Sequence, residues 1–173
     1  LAIDGDVAVV TVDSPPVNAL SSTVRAGINT AVKQANESEA AAIVLICAGR
    51  TFIAGADITE FGGAAKGPSL RDVQDTLENS AIPVVAAIHG TALGGGLELA
   101  LCAHYRIAVP SAKCGLPEVN LGLLPGAGGT QRLPRIVGVE KALQMIAFGD
   151  HVPVAECHEM GLVDEMAVEG QLL

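Results

Sequence analysis

The chain has 173 residues, of which 50% are hydrophobic, 17% are charged and 2% are aromatic. This length fits one domain, and the composition requires its core to be built from Ala, Val, Leu and Ile. The net charge of −9 argues against nucleic acid and anionic membranes as partners, because binding phosphate groups needs clustered Lys and Arg. An anionic ligand can still be held locally by main-chain N–H groups at helix N-termini.

Strands and helices alternate along the chain. Residues 7–12 form a β-branched run, and 42–47 (AIVLIC) is a continuous apolar run, as expected of a strand covered on both faces. Ser21 can cap a helix whose apolar residues recur at helical spacing. Alternation of this kind predicts an α/β fold with a mostly parallel sheet. Further strands are predicted at 83–88 and 106–109, further helices at 69–79, 94–103, from 126, 138–148 and 154–160, and loops at 62–68 and 117–124.

The apolar run 82–103 is long enough to suggest a transmembrane helix. It contains Pro83, three consecutive glycines and Glu98, so we predict a buried strand, a loop and a buried helix instead.

Four cysteines show neither a CxxC pair nor the spacing of metal ligands. Cys47 and Cys102 lie in apolar runs, which favours buried free thiols in a reducing compartment.

Glu98 is the first candidate for chemistry. It lies in GGGLELAL, in the first turn of the predicted buried helix. Burial disfavours its charged form while the helix N-terminus favours it, so the carboxyl is a candidate for proton transfer near neutral pH. The alternative is that Glu98 only satisfies N–H groups at the start of a helix, and its position alone does not separate the two.

Glycines and a second glutamate strengthen this hypothesis. The run 94–96 (GGG) leaves main-chain N–H groups uncovered at a helix start, which suits an oxyanion, although small residues there can also serve packing alone. Glu118, in GLPEVNLGLLPG, is by itself more typical of a solvated loop. In one apolar pocket with Glu98, however, the two pKa values would separate, so that one carboxyl acts as acid and the other as base.

These segments together resemble the crotonase (enoyl-CoA hydratase/isomerase) superfamily. The resemblance extends from about residue 7 to residue 163, with the motifs in family order at family-like spacing. PPVNALS at 15–21 and HYRIA at 104–108 are most similar to the N-terminal hydratase/isomerase domain of multifunctional β-oxidation enzymes. The three principal motifs are FIAGADI at 52–58, GTALGGGLELAL at 90–101 and GLPEVNLGLLPGAGGTQRLPR at 115–135.

The resemblance implies a role for each matching residue. The N–H groups of Ala56 and Gly95 would form an oxyanion hole for the thioester oxygen of the substrate. Glu98 would assist the attack of water at C3 of a 2-trans-enoyl-CoA, and Glu118 would deliver a proton to C2. The other substrate-binding residues would be Ala54, Asp57 and Ile58, which line the site for CoA, and Gly126, whose N–H helps to position the water.

The resemblance also implies a fold and partners. Residues 1–173 would be the core domain of a longer chain, folded as an α/β spiral of repeated ββα units without the family's C-terminal helices. Thr59 stands where many relatives carry a Lys near the CoA phosphates. The expected partner is an acyl-CoA thioester, with no metal and no separate cofactor. A homo-oligomer (trimer or hexamer) is expected unless a dehydrogenase domain follows, in the bacterial cytoplasm or, alternatively, in peroxisomes.

Three alternatives to the hydratase remain. A Δ3,Δ2-enoyl-CoA isomerase needs the same oxyanion hole but one glutamate, and a multifunctional enzyme can combine both activities. An RNA-binding homologue is disfavoured by the net charge of −9. A hydrolase or decarboxylase of the superfamily would usually alter one of the two glutamates, and here both are present.

Overall fold

The computed structural model describes residues 1–60, 62 and 66–172. Single strands or pairs of strands are followed by helices along most of these residues, which agrees with the predicted α/β fold. The strands are β1 (Ala2–Asp4), β2 (Val7–Val12), β3 (Ala42–Cys47), β4 (Val84–Ile88), β5 (Thr91–Leu93), β6 (Tyr105–Ala108), β7 (Lys113–Gly115), β8 (Val152–Pro153) and β9 (Glu165–Met166). The helices are α1 (Ser22–Asn36), α2 (Leu70–Glu78), α3 (Gly95–Ala100), α4 (Gly129–Val137), α5 (Val139–Phe148) and α6 (Val154–Glu159), with 3-10 helices at Ile58–Glu60 and Pro117–Leu121.

The larger sheet has six strands in the order β1-β2-β3-β4-β6-β9. All neighbours pair in parallel except β1, which is antiparallel to β2 at the edge. This confirms the predicted mostly parallel sheet. No residue of β3 is exposed, which agrees with a strand covered on both faces.

The smaller sheet has three strands in the order β5-β7-β8, and the sequence analysis missed it. These strands are only two or three residues long, so they carry no readable alternation of apolar and polar residues. Successive units place one strand in each sheet and then a helix, as in β4–β5–α3 and β6–β7–α4. A parallel bridge between Ile53 and Ala92 extends the same arrangement to the segment after β3. The predicted spiral of ββα units is therefore confirmed.

Several predicted elements are shorter than expected. The predicted helix 94–103 ends at Ala100, because the N–H groups of Cys102 and Ala103 bond back over three residues rather than four. The predicted loop 117–124 begins with a 3-10 helix, and the helix predicted from 126 begins at Gly129. Of the predicted loop 62–68, residues 63–65 lie outside the described part of the chain.

Side-chain caps explain why the first two helices begin where they do. The Ser21 side chain accepts a hydrogen bond from the N–H of Val24 at 3.3 Å, which confirms the predicted cap of α1. Ser69 and Asp72 form a reciprocal capping box at the start of α2.

All four cysteines are buried and free. None of the helices in the described residues has the length and apolar character needed to cross a membrane.

Candidate active site

Helix α3 packs directly on the segment that follows β3. A Cβ atom added at Gly96 would overlap the carbonyl oxygen of Ile53, so only glycine permits this approach. A Cβ atom added at Gly95 would lie 3.3 Å from the nitrogen of Ala56. The two residues predicted to form an oxyanion hole are therefore neighbours, although they are far apart in sequence.

The N–H groups of Ala56 and Gly95 have no acceptor among the described residues. Gly95 is the first residue of α3, where backbone N–H groups lack a partner within the helix. Ala56 forms an isolated β-bridge with Leu20, but the hydrogen bond of that bridge runs from the N–H of Leu20 to the carbonyl of Gly55 at 2.9 Å. The bridge therefore does not use the N–H of Ala56. Both residues line one cleft, so these two donors are available to a ligand.

The cleft has a volume of about 370 Å³. All the predicted site residues except Asp57 line this cleft. The Asp57 carboxylate instead accepts hydrogen bonds from the N–H and the hydroxyl of Thr59. The lining is mostly apolar apart from two carboxyl groups, which is the usual character of a small-molecule site. The residues around it are Ala54, Gly55, Ala56, Ile58, Leu70, Gly94, Gly95, Glu98, Pro117, Glu118, Leu121, Leu123, Leu124, Gly126 and Ala127.

Glu98 is buried, with 2% of its surface exposed. Its Oε1 accepts hydrogen bonds from the N–H groups of Ala127 and Gly129, both at 2.8 Å. These donors belong to the start of α4, so Glu98 satisfies a helix other than its own. Burial raises the pKa of Glu98, against the two hydrogen bonds and the positive charge of Arg132, which favour the carboxylate.

Glu118 is half-buried and lies over the start of α3. A Cβ atom added at Gly94 would lie 3.3 Å from its Oε1. Its Oε2 is buried and has no hydrogen-bond partner within the described part of the chain. Burial raises the pKa of Glu118, and the negative charge of Glu98 raises it further. The structure thus brings the two predicted glutamates to one cleft.

Sequence analysis missed the residues that hold Glu98. Arg132 lies inside the family-like segment 115–135, where nothing in the sequence separates it from a solvated arginine. Its guanidinium pairs with Glu78, with Nε 2.6 Å from Oε1, and its Nη1 donates to the carbonyl of Ala127 at 3.1 Å. Gln74 was missed as well; its side chain donates to the carbonyls of Glu98 and Ala127. The sequence shows only that Gln74 lies four residues before Glu78, a spacing that places both on one face of α2.

These features define an α/β protein in which two carboxyl groups of raised pKa share a cleft with two main-chain donors. The sequence profile of the enoyl-CoA hydratase/isomerase family matches residues 2–173, and the chain belongs to this family. The predicted family is therefore confirmed.

Individual proteins that are similar to this chain agree with the family assignment. The chain is 52% identical over 162 residues to the peroxisomal bifunctional enzyme of Danio rerio, covering 92% of this chain and 22% of that protein. It is 45% identical over 174 residues to a probable enoyl-CoA hydratase of Bacillus subtilis (strain 168), covering 94% and 66%. The crystal structure of enoyl-CoA hydratase from Bacillus anthracis superposes with a TM-score of 0.84 at 36% identity, covering 95% and 68%. The chain thus spans less than a quarter of the Danio rerio protein, and the relatives include both peroxisomal and bacterial proteins.

The raised pKa of Glu118 predicts that this carboxyl costs stability at neutral pH. A folded-state pKa above the unfolded value means that the folded protein loses stability as pH rises through that pKa. We expect Glu118→Gln to raise the melting temperature relative to wild type, with a difference that grows as the pH rises above the ordinary glutamate range. Thermal unfolding followed by circular dichroism measures this difference.

Glu60 provides a control of opposite sign. Hydrogen bonds from Ser22, chiefly from its backbone N–H, lower the pKa of Glu60, and Arg25 acts in the same direction. Its stabilising effect is therefore present above the unfolded pKa, and Glu60→Gln is expected to lower the melting temperature more at high pH. A Glu118→Gln difference that stays constant with pH would contradict the account of Glu118.

Proposed function

We propose that the chain is an enoyl-CoA hydratase that adds water across the double bond of a 2-trans-enoyl-CoA to give a 3-hydroxyacyl-CoA in fatty-acid β-oxidation. The observation that carries the proposal is the pair of carboxyl groups with raised pKa, Glu98 and Glu118, in one cleft. Hydration removes a proton from water while a carbon is protonated, so two carboxyls in opposite protonation states suit it.

The hydrogen bonds support a particular division of roles. Two N–H groups favour the anion of Glu98, which suits the base that assists attack of water at C3. Glu118 has a buried oxygen with no partner and faces the negative charge of Glu98, which suits the acid that gives its proton to C2. In this mechanism the water oxygen bonds to C3, the proton from Glu118 bonds to C2, and Glu98 takes the proton that water loses. The N–H of Gly126 is proposed to hold the water.

The two unpaired N–H groups support the rest of the mechanism. As water adds, negative charge accumulates on the thioester oxygen, and the N–H groups of Ala56 and Gly95 would stabilise it. Loss of one such donor typically costs about 10²–10³ in rate. These donors are fixed before the substrate arrives, because the close packing of α3 on the segment after β3 sets their positions.

The surrounding contacts of the substrate are part of the same proposal. The backbone of Ala54, Asp57 and Ile58 would line the site for CoA, and CoA enters as part of the substrate rather than as a separate cofactor. No metal and no nucleic acid is proposed as a partner. We propose a homo-oligomer unless a dehydrogenase domain is joined to the chain, and a bacterial cytoplasmic location with the peroxisome as the alternative.

A Δ3,Δ2-enoyl-CoA isomerase is the second candidate. The family matched by this chain includes isomerases, and the reaction would use the same two N–H groups. One glutamate would then move a proton between C2 and C4, and the other would be dispensable. The presence of both carboxyls in the cleft favours the hydratase.

Hydration of crotonyl-CoA by the full-length protein tests the proposal, followed by loss of the enoyl-thioester absorbance. We expect Glu98→Gln and Glu118→Gln each to reduce kcat by about 10²–10⁴, the usual effect of losing an acid–base group. Glu140→Gln, a change in an exposed carboxyl on α5, should keep the wild-type rate. Turnover of 3-enoyl-CoA alone, with one glutamate dispensable, would replace the hydratase by the isomerase. A folded wild-type protein that converts neither substrate would contradict both.

Gly129→Ala tests the hold on Glu98 without changing a carboxyl. The added Cβ would lie 2.9 Å from Oε1 of Glu98 and 3.0 Å from Cδ1 of Leu116, so the carboxylate must move. We expect kcat for hydration to fall by about 10² or more, because acid–base catalysis depends on this geometry.

Gly27→Ala is the matched control for this substitution. Gly27 lies in α1 with nothing within 4 Å of an added Cβ. The substitution Gly27→Ala should leave kcat for hydration unchanged and stabilise α1 by about 0.5–1 kcal/mol. Wild-type kcat in Gly129→Ala would show that the position of the Glu98 carboxylate does not matter for the reaction.

A further inference from the structure

Helix α2 places a buried glutamine between the two segments that position Glu98. Gln74 is 1% exposed, and its Nε2 donates to the carbonyl of Glu98 at 3.1 Å and to the carbonyl of Ala127 at 2.8 Å. A side-chain amide nitrogen carries two protons, so both are used. One side chain therefore connects α3 to the segment 126–128.

Each of the two carbonyls accepts one hydrogen bond from Gln74 and one from a side chain nearer in sequence. Because α3 ends at Ala100, the N–H of Cys102 bonds to the carbonyl of Leu99. The donors to the Glu98 carbonyl in the described residues are Gln74 and the thiol of Cys102, with Sγ at 3.3 Å. The Ala127 carbonyl accepts from Arg132 as well. Because one amide nitrogen donates to both carbonyls, Gln74 fixes the separation of the two segments.

The same two segments meet again at the carboxylate. Ala127 accepts from Gln74 through its carbonyl and donates through its N–H to Oε1 of Glu98 at 2.8 Å. Gln74, Ala127 and Glu98 thus form a closed ring of contacts, in which the glutamine holds the main chain and the main chain holds the carboxylate.

We propose that Gln74 is a positioning residue for the hydration reaction, acting through the backbone of Ala127 to hold the Glu98 carboxylate in place. The inference rests on the proposed function, in which Glu98 is the base. Gln74 does not line the cleft and would not touch the substrate. Its effect would be to keep the N–H groups of Ala127 and Gly129 within reach of Glu98.

Other charged groups also face Glu98. Arg132 on α4 is paired with Glu78 on α2, and Glu118 lies across the cleft. A change at Gln74 leaves all three residues in place, although Arg132 shares the Ala127 carbonyl with Gln74. A change in the titration of Glu98 on substitution of Gln74 would therefore report the position of the Ala127 segment and its hydrogen bonds to the carboxylate.

The test uses Gln74→Met in the full-length protein, since methionine keeps the length of the side chain but has no N–H. We expect kcat for crotonyl-CoA to fall by about 10–100-fold, as is typical when an orienting partner of a functional group is lost. KM should change little, and the acid limb of the kcat pH profile should move to higher pH. The reason is that weaker N–H bonds to the anion raise the pKa of Glu98.

The control is Asn36→Leu, which removes another side-chain amide that bridges two segments. Asn36 donates to the carbonyl of Val32 and accepts from Ser80 and Ala81, away from the cleft. It should leave kcat and its pH profile unchanged even if stability falls. A Gln74→Met protein whose pH profile matches wild type would overturn the positioning role, since lost stability alone does not move it.

A second variant and a second measurement separate the possible failures. If Gln74→Met does not fold, Gln74→Asn keeps an amide on a shorter side chain without adding a charge, and should show a shift in the same direction, whereas no shift would overturn the inference. Carboxyl titration by ¹³C NMR reports Glu98 without turnover. If wild type lacks hydratase activity while Gln74→Met still raises the pKa of Glu98, the proposed function fails but the hold on Glu98 stands. If the pKa does not move, the hold itself is refuted.

Discussion

The hydrogen bonds from the N–H groups of Ala127 and Gly129 to the Glu98 carboxylate are the interaction on which the site depends. They join two helices that are separated in sequence, α3 and α4, through a single buried oxygen. Without them a carboxyl that is 2% exposed would be strongly driven to its neutral form. With them the anion stays accessible, and the same contacts fix where it points.

Backbone packing without side chains provides the complementary half of the site. Gly96 lets α3 approach the carbonyl of Ile53, and this approach brings Gly95 next to the nitrogen of Ala56. Glycine at these positions has two effects. It permits the close packing of α3 on the segment after β3, and it leaves two main-chain N–H donors uncovered by side chains. The carboxyls can then differ in protonation while the donors remain fixed.

The sequence predicted the larger elements because their signals are long and periodic. The helix after Ser21, the apolar run of β3 and the glutamates at 98 and 118 could all be recognised without coordinates. The strands of the smaller sheet could not, since two or three residues carry no period and their pairing is decided by tertiary contacts. The contacts of Gln74 could not be predicted for a related reason: its two acceptors, the carbonyls of Glu98 and Ala127, lie 24 and 53 residues further along the chain.

The measurement that tests the central claim most directly is the titration of the Glu118 carboxyl by ¹³C NMR in wild type and in Glu98→Gln. If the two carboxyls share one apolar cleft, Glu118 titrates above the ordinary glutamate range in wild type, and removing the charge at position 98 lowers its pKa. If Glu118 titrates in the ordinary range, or is unaffected by Glu98→Gln, the two groups do not act on each other. The account of an acid and a base separated by a common environment would then be wrong.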